Sequence, residues 1–210
     1  NLKSGEKDYT KVTFYPDFEK FGMQGLDQDI LDLMTKRVYD LAGCSDKKVK
    51  VFLNNQEVKV KNFRDYVKLY VHDETVPLMF DIPHPRWEVA VTISEGVFQQ
   101  VSFVNSICTS KGGTHVTYIS DQLINAISGS IQKKHKKLEV KNNQIKQHLW
   151  VFVNCLVENP CFDSQTKETM TLKPSSFGSK FELKEKFVKE VVNCGVIDHV
   201  VAFAKAKTEA

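Results

Sequence analysis

Apolar positions alternate in some stretches of the chain and recur at three and four residues in others, and the two periods divide it into elements. Tyr9 to Tyr15 alternates and is rich in β-formers, which predicts a strand ended by Pro16 and Asp17. Asp27 is placed to cap a helix whose apolar residues are Ile30, Leu33, Met34, Val38 and Leu41, with Gly43 as its C-cap glycine. Val49, Val51 and Leu53, then Val58 and Val60, flank Asn54-Asn55 in the pattern of a β-hairpin, since Asn tolerates positive φ in the turn. Asn62 can cap a short helix carrying Phe63, Tyr66, Val67 and Tyr70. His72 to Arg86 holds Pro77, Pro83 and Pro85, so a loop with a domain boundary nearby is expected.

The second half opens with alternation from Trp87 to Ile93, a Glu95-Gly96 turn, and a returning strand from Phe98 to Asn105. Thr109-Ser110-Lys111-Gly112-Gly113 reads as a loop. Thr114 is placed to cap a long helix with Val116, Ile119, Leu123, Ile127 and Ile131 on one face. Asn142 to Gln147 is a short polar helix. Leu149 to Val157 is almost wholly apolar, the pattern of a central strand buried on both faces. Cys161 to Ser179 is irregular. Leu183 to Val192 and Ile197 to Lys207 are expected helices, separated by Gly195.

Composition narrows the class. An apolar content of 41% can build a core, which excludes a disordered chain. The longest apolar runs are five residues, such as Leu149 to Val153, far short of the ~20 a membrane helix needs. The five cysteines are odd in number and scattered, and no Asn-x-Ser/Thr sequon occurs, which favours a reducing, intracellular setting. The formal net charge is +3, but the charge is uneven: Lys133 to Lys146 carries six lysines and one acid, leaving −2 elsewhere. Such a local excess suits a phosphate backbone, a solvated helix end or a nuclear-import signal.

Chemistry-bearing spacings are few. No phosphate-loop, dinucleotide, zinc-protease, Cys-x-x-Cys or nucleophile-elbow pattern is present, and the six histidines are dispersed. Cys108 reads as a small strand-end residue rather than a nucleophile. Three polar features remain. The Lys111-Gly112-Gly113 loop before a helix could approach an anion or be an ordinary turn. The lysine cluster is the second. The third is Asp163-Ser164-Gln165-Thr166-Lys167-Glu168, which could be a solvated loop tip or a loop that puts Lys167 and an amide onto a phosphate.

The wording of several stretches resolves the choice. Leu26 to Gly43, Phe98 to Ser106, Thr109 to Gly113 and above all Trp150 to Met170 (WVFVNCLVENPCFDSQTKETM) resemble the N-terminal region of the eukaryotic DNA topoisomerase II family. The resemblance covers essentially the whole chain. It implies an α+β fold: the end of a GHKL-class ATPase sandwich over residues 1–62, then a transducer over 63–210 with a ribosomal-S5-domain-2-like mixed sheet and helices on one face. The proline-rich segment from His72 then falls slightly inside the transducer, and it looks shorter than in animal relatives.

The resemblance also implies roles. Gln165, Thr166 and Lys167 match a loop that reaches the γ-phosphate of ATP. Lys133, Lys134 and Lys136 match a lysine-rich loop near double-stranded DNA, with His135 and Lys137 departing from the commoner Asn and Gly. Lys111 matches the family without a direct ATP contact being implied. The Asn that holds Mg²⁺, the catalytic Glu and the glycine-rich lid match nothing in this chain and are expected before Asn1. The chain then reads as an internal slice of a nuclear homodimer, inactive as an ATPase by itself, with no metal ligand and no catalytic residue of its own. The runners-up are a non-enzymatic nucleic-acid-binding protein of the same fold and a bacterial-type gyrase subunit.

Overall fold

The apolar run that begins at Leu149 becomes the middle strand of a five-stranded mixed sheet, with a neighbour on each edge and side chains buried on both faces. The computed structural model describes residues 8–209. Contacts divide the chain after Lys36 into two compact units.

The first unit is short. Residues 9–15 form no strand among the described residues, against expectation; Tyr9, Val12 and Tyr15 are exposed, and no second strand pairs with their backbone. Alternation alone does not make a strand, because its N–H and C=O groups need partners. A single 3₁₀ turn at Glu19–Phe21 follows, closed by Gly22 at φ 66°. Helix α1 (Gln28–Cys44) starts where the sequence places it, with Asp27 Oδ1 accepting from the Ile30 N–H at 2.9 Å.

The second unit begins within α1. Gly43 is not a cap but lies inside the helix, where its missing Cβ leaves room for Tyr66; a Cβ there would stand 2.5 Å from Tyr66 Cγ. The hairpin β1 (Phe52–Leu53) and β2 (Gln56–Glu57) turns through Asn54 and Asn55 at φ 49° and 66°. Helix α2 (Phe63–Val67) is capped by Asn62, whose Oδ1 accepts from the Asp65 N–H at 2.8 Å.

The segment expected as a proline loop carries a strand, β3 (Met79–His84). It is tolerated because β3 is an edge strand whose register shifts between Asp81 and His84, so Pro83 costs the sheet no ladder bond. Next come β4 (Trp87–Ile93), β5 (Gln99–Val104), β6 (Ile107–Cys108) and the very short β7 (Gly112–Gly113). Helix α3 (Thr114–Lys134), α4 (Asn142–Lys146), β8 (Leu149–Cys155), β9 (Thr169–Met170), α5 (Glu185–Asn193) and α6 (Val196–Glu209) complete it.

Sheet order is β3-β4-β8-β5-β6. β4 and β5 run in opposite directions but are not hydrogen-bonded neighbours: β8 lies between them, antiparallel to β4 (Val91↔Val151) and parallel to β5 (Val101↔Phe152). Alternate residues face two cores. Trp87, Val89, Val91, Val151 and Val153 pack under α3–α6, against Ile119, Leu123, Ile127, Phe187 and Val200. Ala90, Phe103 and Phe152 face the other way, onto Phe63, Tyr66 and Val67 of α2 with Ala42, Val58 and Val60. Each fully buried large apolar side chain contributes roughly 1.5–3 kcal/mol, so the four helices on one face supply most of the burial. The second face is closed by the residues from Arg37 to Tyr70. Among them the Tyr66 hydroxyl donates to Asp40 Oδ1 at 2.6 Å, a buried carboxylate also paired with Arg37.

Candidate functional site

The loop from Phe162 to Met170 is pinched at its base and open at its tip. Phe162 bridges Met170, and the Asp163 N–H donates to the Thr169 carbonyl at 3.2 Å. The Thr169 hydroxyl, bonded to Asp163, holds that carboxyl below its usual range. Inside the base, the Lys167 N–H donates to the Ser164 carbonyl and the Ser164 and Thr166 hydroxyls meet at 2.9 Å, which closes a tight turn. Gln165 and Thr166 are exposed at this tip. Lys167 takes φ 58°, a left-handed conformation that costs a side-chain-bearing residue about 1 kcal/mol. Its ammonium lies 5.9 Å from the Phe162 ring, and among the described residues no carboxylate forms an ion pair with it.

Glu168, the next residue, is held firmly. Its main-chain carbonyl accepts from the Lys111 N–H at 3.0 Å, and its carboxylate meets Lys111 Nζ at 2.8 Å and Ser110 Oγ at 3.5 Å. The pairing lowers the Glu168 pKa and raises that of Lys111. Gly112 and Gly113 are therefore not an open loop: they form β7, parallel to β9, with Gly112↔Thr169 and Gly113↔Met170 in register. At Gly113 (φ 137°) a Cβ would collide with the Met170 carbonyl, so only glycine permits this approach. Thr114 is the first helical residue rather than the cap, and its hydroxyl donates to the Leu172 carbonyl at 2.6 Å. The helix start is thus joined to the chain just after β9.

A buried polar chain fixes the other end of this segment. Thr109 Oγ1 lies 2.6 Å from Ser102 Oγ and 3.0 Å from His115 Nε2, all three residues being essentially inaccessible. Burial pulls the His115 pKa down to about 3, so the ring is neutral near neutral pH. Nothing in the local sequence pattern marks Ser102, Thr109 and His115 as one group.

The lysine cluster lies at the other end of α3. Lys133 and Lys134 occupy its last turn, His135 follows as C-cap, and Lys133, Lys134, Lys136 and Lys137 are exposed. Together with Leu138 they line a shallow groove of about 520 Å³. Its remaining wall is Lys205 of α6, far away in sequence and outside the expected cluster. Lys141 and Lys146 do not line the groove, and Lys146 sits 4.7 Å from the Phe98 ring.

The model of the DNA gyrase B family matches residues 62–210. The chain belongs to the DNA gyrase B family. Within this family it is 51% identical over 208 residues to DNA topoisomerase 2 of Arabidopsis thaliana, and 50% identical over 210 residues to human DNA topoisomerase 2-alpha. Those alignments cover 96% and 97% of this chain but 14% of each relative. The crystal structure of the ATPase region of Saccharomyces cerevisiae topoisomerase II superposes with a TM-score of 0.83 at 42% identity, over 90% of this chain and 49% of that one. The α+β reading and the resemblance to eukaryotic topoisomerase II both stand. Among the described residues no helix is long and apolar enough to cross a membrane.

Proposed function

We propose that this gyrase B family chain is the phosphate-sensing and transducing segment of an ATP-dependent type IIA DNA topoisomerase, an isomerase that passes one duplex through another. Residues 1–62 are read as the end of the ATPase domain and 63–210 as the transducer; the start of the family match at residue 62 supports that division.

The observation that carries the reading is the contrast between two neighbouring lysines. Lys111 is neutralised by Glu168, whereas Lys167 stands on a kinked, open tip with no carboxylate paired to it among the described residues. The Lys167 ammonium and the Gln165 and Thr166 side chains are donors suited to a terminal phosphate oxygen. The γ-phosphate, when bound, supplies charged acceptor oxygens that the diphosphate product lacks. Lys167 donates to one of them a charge-assisted hydrogen bond of roughly 1.5–3 kcal/mol. A differential contact of that size shifts a two-state equilibrium by about 10–150-fold. With the bond made, Lys167 holds the transducer against the ATPase domain and favours the closed gate. Without it the loop is released, and α5 and α6 carry a rigid-body rotation toward the DNA-cleaving part of the protein. Lys133, Lys134 and Lys136, with Lys205, bias passing DNA through a sequence-independent field. Among the described residues no three His, Cys, Asp or Glu side chains converge. From its likeness to the DNA topoisomerase 2 relatives, the whole protein is read as a nuclear homodimer that uses Mg²⁺ with ATP.

The test is Lys167→Ala in the full-length protein. ATP-dependent strand passage is expected to fall at least tenfold while DNA affinity changes little. Normal relaxation and ATPase rates in that variant would sink the sensor role.

A further inference from the structure

Lys167 does not orient itself. Its own backbone is in a left-handed conformation, and the residues before it form an exposed turn. What is rigid is the residue after it. Glu168 is bound through its main chain and its side chain to one dipeptide, Ser110-Lys111, on the segment between β6 and α3. That dipeptide is itself anchored. Gln100 Nε2 donates to the Ser110 carbonyl at 2.9 Å, and the preceding Thr109 is locked to Ser102 and His115. Immediately after it, β7 is hydrogen-bonded to β9. A continuous chain of contacts thus runs from the central sheet, through Ser110 and Lys111, to the residue that sets the position of Lys167.

Resting on the sensor reading above, we infer that Lys111 and Glu168 form a positioning pair: their ion pair sets the reach of Lys167 toward the γ-phosphate, and neither residue touches the nucleotide. The pair suits this role because it is exposed. An exposed ion pair contributes little to global stability, so it can be removed without unfolding the domain. It can still restrict the loop, since it joins segments 57 residues apart in sequence and acts at the position adjoining the sensor. Loss of the pair removes the one charged partner of Glu168, leaving its backbone bond and weaker hydroxyl contacts such as Ser110 Oγ at 3.5 Å, and frees the 163–168 turn to sample orientations in which Lys167 misses its acceptor. Misplacement of a reacting or sensing group by about 1 Å can cost about a hundredfold.

Charge exchange tests the pair in the full-length protein. Lys111→Glu and Glu168→Lys are made singly and together, with Lys167→Ala alongside. Each single reversal is expected to lower strand passage at saturating ATP by about tenfold, with the thermal midpoint and DNA affinity unchanged. The double exchange is expected to restore strand passage to within about threefold of the parent. Glu168→Gln, which keeps the shape and the backbone bond, should show an intermediate loss, and it serves as the second measurement if a reversal fails to fold. Rescue by the exchange also excludes a direct phosphate contact by Lys111, because residue 111 is then an acid. Neutral single reversals, or an exchange that fails to rescue, overturn the pair. If Lys167→Ala is damaging in the same assay, only the positioning role has failed; if Lys167→Ala is silent too, the sensor reading has failed with it.

Discussion

At the scale of single residues, the protein separates groups that must stay neutral from groups that must stay charged. His115 belongs to the first kind. It is inaccessible, its Nε2 faces the Thr109 hydroxyl, and among the described residues its Nδ1 has no hydrogen-bond partner. Its folded pKa, about 3, lies far below the 6.5 of an unperturbed histidine. Between those values the unfolded chain binds a proton that the folded chain refuses, so stability falls as pH drops from 6.5 toward 3. At pH 5 the loss from this residue alone is about 2 kcal/mol. His148, also depressed, mainly by burial, acts in the same direction. Urea midpoints at pH 7 and pH 5 check this: His115→Gln should show a clearly smaller drop than the parent, and an unchanged drop would refute the assignment. Lys167 is singled out as a candidate by the distinctive Asp-Ser-Gln-Thr-Lys string in which it stands. The Glu168 partner of Lys111 and the Thr109–His115 bond are not, because each is made by folding across the chain rather than by spacing along it.

At the scale of elements, local chemistry is a good guide where it is self-contained. Asp27, Asn54-Asn55 and Asn62 all act as their residue types predict, since a cap or a tight turn needs only its own few residues. The misreadings have a common origin in partners. Residues 9–15 have a strand pattern without a paired strand among the described residues, and β3 has a strand partner despite its prolines. Gly43 resembles a cap but is small because Tyr66 needs the space. Asn62 offers the cleanest measurement here. Its cap starts α2, which sets Phe63, Tyr66 and Val67 on the second face of the sheet. Asn62→Ala should cost about 1 kcal/mol, read as a lower urea midpoint with an unchanged slope, and Asn62→Asp should retain most of the stability.

For the whole molecule, the two candidate functional regions sit on one long helix. The start of α3 joins the Lys167 loop through Thr114 and Gly113, and its end carries Lys133 and Lys134. With 21 residues, α3 is about 31 Å long at 1.5 Å per residue, so the proposed phosphate-sensing loop and the proposed DNA-facing lysines lie at opposite ends of one helix. Replacing Lys133, Lys134 and Lys136 by Gln in the full-length protein should reduce DNA-stimulated ATPase while basal ATPase stays intact. The log–log salt dependence of DNA binding should flatten by up to about 0.9 for each DNA phosphate that a replaced lysine had neutralised. Unchanged stimulation and salt dependence would make the groove a solvated face. Lys205→Gln added to the triple variant should deepen the effect, since α6 supplies the remaining wall.

The placement of β8 between β4 and β5 also dictates an order of assembly. Residues 87–104 emerge during synthesis with both strands complete, but the strand that belongs between them ends at Cys155. Until then β4 and β5 are antiparallel, close in sequence and free to zip into a hairpin that the native sheet forbids. The native order is reached only when β8, a strand separated from β5 by α3 and α4, enters between β4 and β5, a non-local pairing of the kind that forms slowly. A β4–β5 hairpin is thus the alternative pairing that the native order excludes once β8 is in place. Release of the chain before residue 155 leaves the edge meant for β8 exposed for pairing with another chain.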